Sequence, residues 1–349
     1  MIRVEREYQE IVVSALLHDI GKLFQRCRDK RFENRDEVHM SLYCPYNSTQ
    51  NYYGYIHTLS TYGFVKEHAD VFPDEINGDI VAELSARHHL PDSPLEHIIK
   101  EADHLSAGHD RMFEEDDNSQ ASAKYYEQPL MSVFNSVRLH HQDKPMEKSA
   151  YDLKSYYEEN ALFPHTHGNM LSEKYYRQIA DRFAEAFMEL EGMHFDRFVP
   201  ALDSVLKEYS WAIPASTNSK PDVSLYDHLA TTAAFAAVLY RYHQADGSLD
   251  NIKAINDKKT KRFLLVSGDV SGIQNYIFDL KTTTLNAKVL RARSFELQIA
   301  ARAIAEVFLE KVRLPIACKI MESGGKFILL LTNTEDTKRI LNEVRKEVE

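Results

Sequence analysis

From Ile11 to Phe24 the chain is apolar at almost every position, and His18 and Asp19 stand side by side in the middle of that stretch. The spacing predicts an opening helix over 8–25. Its apolar residues Ile11, Val12, Val13, Ala15, Leu16, Leu17, Ile20 and Leu23 cover so much of its surface that it must be buried. An imidazole and a carboxylate are then carried into the interior. There they are either satisfied by hydrogen bonds or hold a divalent metal ion, for which both are good ligands. The dipeptide by itself is common, so the question is whether further ligands follow it.

Composition limits the setting. A chain of 349 residues is long for one core, and two or three domains are expected. No run of eighteen apolar residues predicts a membrane span. The charged N-terminus (Arg3, Glu5, Arg6, Glu10) is unlike a secretory leader, so the expected location is cytoplasmic, with no membrane partner. Cys27, Cys44 and Cys318 are isolated and form no C-x-x-C pair, so neither a disulfide framework nor a zinc finger is indicated. A net charge of −11 opposes non-specific binding to nucleic acid, so any such contact must be local, metal-mediated or shared with a partner.

Helical periodicity continues after the opening segment. Residues 31–53 read as a polar loop, with helices over 55–69, from Pro73 onwards, and over 94–107. The acidic run 112–125 and the segment 143–172 have few apolar positions, so 112–172 is read as a surface excursion. Amphipathic helix is expected over 173–209 and alanine-rich helix over 225–243. Residues 245–261 have linker composition. Strands are then expected at 263–266, 316–320 and 327–331, the last two joined across Gly324-Gly325, with helices over 287–312 and 335–348. The order β-α-β-β-α is that of a ferredoxin-like unit without its last strand.

Further candidate ligands lie on the helices of the first third: His57, the pair His88-His89, and Asp103. A single helical histidine is usually hydrogen-bonded or solvated, and His-His at a helix end usually only caps it. His97, His104 and His109 are read that way, and Asp110-Arg111 as a turn or ion pair. Taken together on helices, His18, Asp19, His57, His88, His89 and Asp103 can hold one or two divalent ions. Such ions generate a nucleophile from water near neutral pH. Manganese, nickel or cobalt suits a mixed imidazole–carboxylate set better than magnesium does. Lys22, one turn after the pair, can neutralise a phosphate.

The order His18-Asp19, His57, His88-His89, Asp103 resembles the HD phosphohydrolase superfamily. Those proteins usually carry an earlier histidine as well. Here Tyr226-Asp227-His228-Leu229 and the alanine-rich run after it resemble the superfamily's first helix. The resemblance therefore implies a circularly permuted all-α HD domain, with His228 completing the metal set. Three later segments, Ser267-Gly268-Asp269-Val270-Ser271-Gly272-Ile273-Gln274, Arg291 to Gln298, and Glu322 to Phe327, join the permuted region in resembling the large subunit of type III CRISPR effector complexes, III-A (Csm) branch.

This resemblance implies a multi-domain chain: a permuted HD nuclease domain over 1–250, a linker over 251–261, and over 262–349 a first, partial α+β palm of ferredoxin-like form. It implies cleavage of single-stranded DNA in antiviral defence. The implied partners are other effector subunits with guide and target RNA, and a missing C-terminal palm half. Family palms make cyclic oligoadenylate from ATP. Here no Gly-Gly-Asp-Asp motif occurs, and Lys326-Phe327 follow Gly324-Gly325, so Asp269 stands without hairpin carboxylates to hold magnesium. Ser271, Gly324 and Gly325 are expected to touch ATP only in a full-length protein with a second palm. Two rival functions remain at this level: an HD phosphohydrolase of nucleotides or cyclic dinucleotides, and a non-catalytic scaffold subunit.

Overall fold

The computed structural model describes residues 2–108, 127–137, 148–166, 171–217, 221–279 and 286–348. His109, Asp110-Arg111 and the acidic run 112–125 lie outside them. The chain divides into two compact units, Met1–Ala236 and Ala237–Glu349, and the division falls within the helix Leu225–Asp246. The segment read as a linker contains a short helix, Ile252–Ile255, capped by the Asn251 side chain.

The first unit is helical. The expected opening helix is broken at the motif: one helix spans Ile2–Leu17, a second Gly21–Arg26, and His18, Asp19 and Ile20 form the turn between them. Both helices still bury their apolar residues; Ile11, Val12, Leu17, Ile20, Leu23 and Phe24 are wholly inaccessible. The helices His57–Glu67, Gly78–Ala86 and Pro94–Ser106 pack around them. Pro94–Ser106 begins at a capping box in which Ser93 and Glu96 satisfy each other's backbone N–H groups.

Phe24, Phe64, Phe183 and Phe187 form one aromatic cluster, with ring centroids 4.9 Å apart for Phe24–Phe64 and 5.2 Å for Phe64–Phe187. That cluster joins the Gly21–Arg26 and His57–Glu67 helices to the helix Glu173–Met188. The periodic stretch 173–209 is two helices, Glu173–Met188 and Phe195–Ser210, because Gly192 takes a left-handed φ of 78° between them. The 31–53 segment is also more ordered than a polar loop: it holds the helix Glu37–Tyr43, capped by Asp36, and the two-residue strands Tyr46–Asn47 and Tyr52–Tyr53. Of the expected surface excursion, residues 148–166 pair through Ala150 with Met131 and His165. They also pack Tyr151, Leu153 and Tyr156 against Trp211.

The second unit contains strands Phe263–Asp269, Lys319–Ser323 and Lys326–Thr332 and the helices Ile273–Phe278, Asn286–Val312 and Glu335–Val348. The third strand lies between the first and second and is antiparallel to both. The outer two strands therefore run parallel, joined by a crossover that includes the long helix, as in a split β-α-β unit. The sheet buries Phe327, Leu329, Leu330 and Leu331, the long helix buries Ala301, Ala305, Phe308 and Leu309, and the rings of Phe308 and Phe327 meet across them with centroids 6.2 Å apart. Gly324 and Gly325, at φ 59° and 82°, make the two-residue hairpin turn, which needs positive φ at both positions. Among the described residues no helix is long and apolar enough to cross a membrane.

Candidate metal centre

The break after Leu17 is what presents His18 and Asp19. The last carbonyls of a helix have no partner within it. The His18 ring, just beyond the helix end, donates Nδ1–H to the Ala15 carbonyl at 2.8 Å. His88, after the end of Gly78–Ala86, does the same to the Ser85 carbonyl at 2.8 Å. Capping and metal binding are thus compatible at these positions: each ring uses Nδ1 for the helix and turns Nε2 inward. His57 is the first residue of its helix and is buried, and Asp103 is buried on Pro94–Ser106.

His228 enters from the Leu225–Asp246 helix, which Ser224 caps by accepting from Asp227 N at 2.9 Å. Lys22 and Arg26 donate to the carbonyls of Ala215 and Pro214, each at 2.9 Å. The backbone bonds between Ile213–Ala215 and Val223–Leu225 then hold the start of the helix. The His228 Nδ1 is 3.0 Å from Ser106 Oγ, which is 2.6 Å from Thr231 Oγ1, and Thr231 donates to the Asp227 carbonyl. Read as a chain of donors, this leaves the His228 Nε2 facing the centre. Ser106 carries no signal in the sequence that distinguishes it from a surface serine.

Asp19 is the hub. Its Oδ1 is 2.9 Å from His57 Nε2 and 3.6 Å from His88 Nε2; its Oδ2 is 2.5 Å from Lys22 Nζ, 3.4 Å from His228 Nε2 and 3.6 Å from His18 Nε2. Asp103 Oδ1 lies 3.2 Å from His228 Nε2 and 3.8 Å from His18 Nε2. Two groups of donor atoms result, each within 4.8 Å of one another: Asp19, His57, His88 and His89, and His18, Asp19 and His228.

Asp19 Oδ1, His57 Nε2 and His88 Nε2 are buried and make no hydrogen bond, although His57 Nε2 and Asp19 Oδ1 approach to 2.9 Å. Unpaired buried polar atoms are costly. A cation among these three atoms would satisfy all of them, so the residues fit a metal ion.

The charges agree with ligand forms. Burial would raise the Asp19 carboxyl, but Lys22, His18 and His57 outweigh it and hold Asp19 well below the usual carboxylate range. Burial likewise opposes ionisation of Asp103, and the neighbouring imidazoles of His18 and His228 overcome it, holding it well below the usual carboxylate range. Burial pushes the His18 and His57 imidazoles down, toward the neutral form that binds metals. His89 is held well below its ordinary value by burial and by the neighbouring charges of His88 and His57. His228 differs: burial lowers it, but the carboxylates of Asp103 and Asp19 outweigh burial and raise it overall, toward the protonated form, so a metal ion here would have to displace a proton.

The structure thus brings together His18, Asp19, His57, His88, His89, Asp103 and His228, with Lys22 against Asp19 and the Ala215 carbonyl. In the second unit, Ser271 is exposed and lies next to Val270, whose N–H donates to the Gly325 carbonyl at 2.9 Å. Asp269 faces Lys326 in register, and its Oδ2 is 3.5 Å from the Lys326 ammonium. That carboxylate is therefore paired with a cation.

Comparison with known proteins adds the family. Residues 262–349 match the model described as Csm1 subunit domain B. A Methanocaldococcus jannaschii protein named CRISPR system single-strand-specific deoxyribonuclease Cas10/Csm1 (subtype III-A) is 28% identical over 376 residues, covering 98% of this chain and 43% of that protein. The chain is homologous to the type III-A CRISPR large subunit. A Streptococcus thermophilus protein of the same name is 28% identical across 99% of this chain and 43% of its own length. A solved Csm1-Csm4 cassette in complex with AMPPNP superposes with a TM-score of 0.65 at 24% identity, over 97% of this chain and 41% of that one. The chain spans less than half the length of these Csm1 relatives.

Proposed function

We propose that the centre on Asp19 is the active site of a metal-dependent HD-type nuclease that hydrolyses phosphodiester bonds in single-stranded DNA within a type III-A effector complex. The observation that carries this reading is the convergence of unpartnered buried Asp19 Oδ1, His57 Nε2 and His88 Nε2 in a chain whose relatives are named single-strand-specific deoxyribonucleases. Asp19, His57, His88 and His89 would hold one ion; His18, Asp19 and His228, with Asp103 beside them, would hold a second. Manganese, nickel or cobalt suits these donors. When bound, such ions supply a nucleophile from water at neutral pH and stabilise the charge that builds on phosphorus.

The chain's own residues do the rest. The Ala15 and Ser85 carbonyls orient the imidazoles of His18 and His88, and Ser106 orients that of His228. Lys22 keeps Asp19 ionised, and its part-exposed ammonium can meet a substrate phosphate. A helix from late in the chain that supplies His228 to His18, 210 residues away, is the arrangement a circular permutation of the HD domain would produce. A single strand also suits a chain of net charge −11, which has little with which to grip a duplex.

The direct test is circular single-stranded DNA incubated with the chain and manganese. Cutting is expected, together with its loss in the chain carrying both His18→Ala and Asp19→Ala. Cutting that survives both substitutions overturns the assignment. In parallel, manganese at a hundred times its Kd should stabilise the protein by about 2.7 kcal/mol, read as a rise in Tm. No rise and no bound metal by elemental analysis would favour a scaffold role.

The second unit is, in this reading, a first palm that works with a second palm domain and with subunits such as the Csm4 of the cassettes it resembles. The Asp269–Lys326 pair leaves it without a magnesium-binding carboxylate cluster. Incubation of the chain alone with ATP and magnesium should therefore yield no cyclic oligoadenylate by ion-exchange chromatography, whereas product formation would contradict the pairing argument.

A further inference from the structure

The residues around Asp19 are almost all sealed from solvent. His18, Asp19, His57, His88, Asp103 and His228 are buried, whereas His89 is half-buried, so among the candidate ligands it is His89 that reaches toward the surface, apart from the part-exposed Lys22 beside Asp19. Against that ring stands Tyr55. The two ring centroids are 3.8 Å apart with planes inclined by 34°, and His89 in turn lies 4.0 Å from the His88 ring and 5.4 Å from the His57 ring. Tyr55 is nevertheless 54% exposed, so much of the ring not covered by His89 faces solvent beside the opening.

The backbone of Tyr55 is held in an unfavourable state. Its φ is 56°, a left-handed conformation that is uncommon for a bulky L-residue. It persists because the neighbours fix it: the Tyr55 carbonyl accepts from the Thr58 N–H at 3.0 Å and from the Thr58 hydroxyl at 2.9 Å. The preceding Gly54 N–H donates to the Pro45 carbonyl at 2.9 Å. An exposed aromatic ring whose strained backbone is braced on both sides, at the open edge of a metal-ligand cluster, has no role in the core. A nucleic-acid base, with its flat π-face, matches such a ring.

We infer that Tyr55 is a positioning residue that stacks one base of the single strand beside the His89 opening. This rests on the nuclease reading above and deepens it. Stacking does not distinguish one base from another, but it needs an unpaired, unstacked nucleotide, which would exclude duplex DNA.

The test uses the full chain with manganese and labelled oligodeoxynucleotides, intact or with one abasic residue walked along the strand. In the wild type, an abasic residue at one position should raise KM about tenfold. Tyr55→Ala should raise KM for the intact strand by a similar factor and be indifferent to that abasic position. Tyr55→Phe and Tyr55→Trp should retain the wild-type pattern. A merely structural Tyr55 would give Tyr55→Ala a changed kcat or Tm with the abasic penalty intact, and that result overturns the inference alone. A wild-type chain that cuts no strand removes the nuclease reading and this inference with it.

Discussion

Replacing Asp19 with asparagine is expected to slow cleavage of single-stranded DNA by at least about a thousandfold, equivalent to about 4 kcal/mol of transition-state stabilisation. The side chain keeps its shape but loses its charge and one of its two acceptor oxygens. Those oxygens serve different neighbours: Oδ1 faces His57 and His88, and Oδ2 faces His18, His228 and Lys22. An amide cannot serve both groups. Its NH2 would instead donate to one of the imidazole nitrogens that should hold a cation.

The same reasoning predicts the metal content. Asp19→Asn should bind less manganese by elemental analysis and lose the manganese-dependent rise in Tm, while remaining folded. A folded Asp19→Asn chain with full metal content and wild-type cutting would show that Asp19 is not the hub of the site. Ala substitution of a histidine on one side only, such as His57, should leave more residual metal than Asp19→Asn does, because it spoils only one of the two donor groups.

Much of this was legible from the residues, and the part that was not has a physical cause. The burial of His18-Asp19 followed from the apolar residues on either side of it. The hairpin at Gly324-Gly325 followed from two adjacent glycines between apolar runs, which suit a turn with positive φ at both positions. The break of the opening helix could not be read, because no proline or glycine interrupts it before Gly21, and the group that stabilises the break lies forty residues away. The division of 173–209 was hidden because amphipathic periodicity runs through both halves and only Gly192 separates them. His228 was found through its likeness to a family helix. No periodicity links it to His18, and Ser106, which orients it, is an ordinary residue on an amphipathic helix.

The group that stabilises the helix break is Thr61, and it leads to the second large effect expected: Gly21→Ala should destabilise the chain by about 3 kcal/mol and disable the site. The Thr61 hydroxyl donates to the His18 carbonyl at 3.1 Å and accepts from the Gly21 N–H at 3.0 Å, satisfying two backbone groups that the break exposes. That contact requires the His57–Glu67 helix to lie directly on Gly21. A Cβ at Gly21 would stand 1.9 Å from the His57 carbonyl oxygen and 2.7 Å from both the Thr61 nitrogen and hydroxyl oxygen. Two of those three atoms are backbone, so no side-chain rotation relieves the clash and the helices must separate. Separation would move His57 away from Asp19, whose approach at 2.9 Å is the shortest imidazole–carboxylate distance among those given for the centre. Urea unfolding should therefore show a lower midpoint for Gly21→Ala, and cleavage should fall with it. Thr61→Val, which keeps the volume and removes the hydroxyl, separates the two causes. It leaves the buried Gly21 N–H and His18 carbonyl unpaired, at a cost of about 1–3 kcal/mol, yet lets the helices stay in contact. If Gly21→Ala instead matched the wild type in both urea midpoint and cleavage, the close approach of the two helices would not be what sets His57 against Asp19.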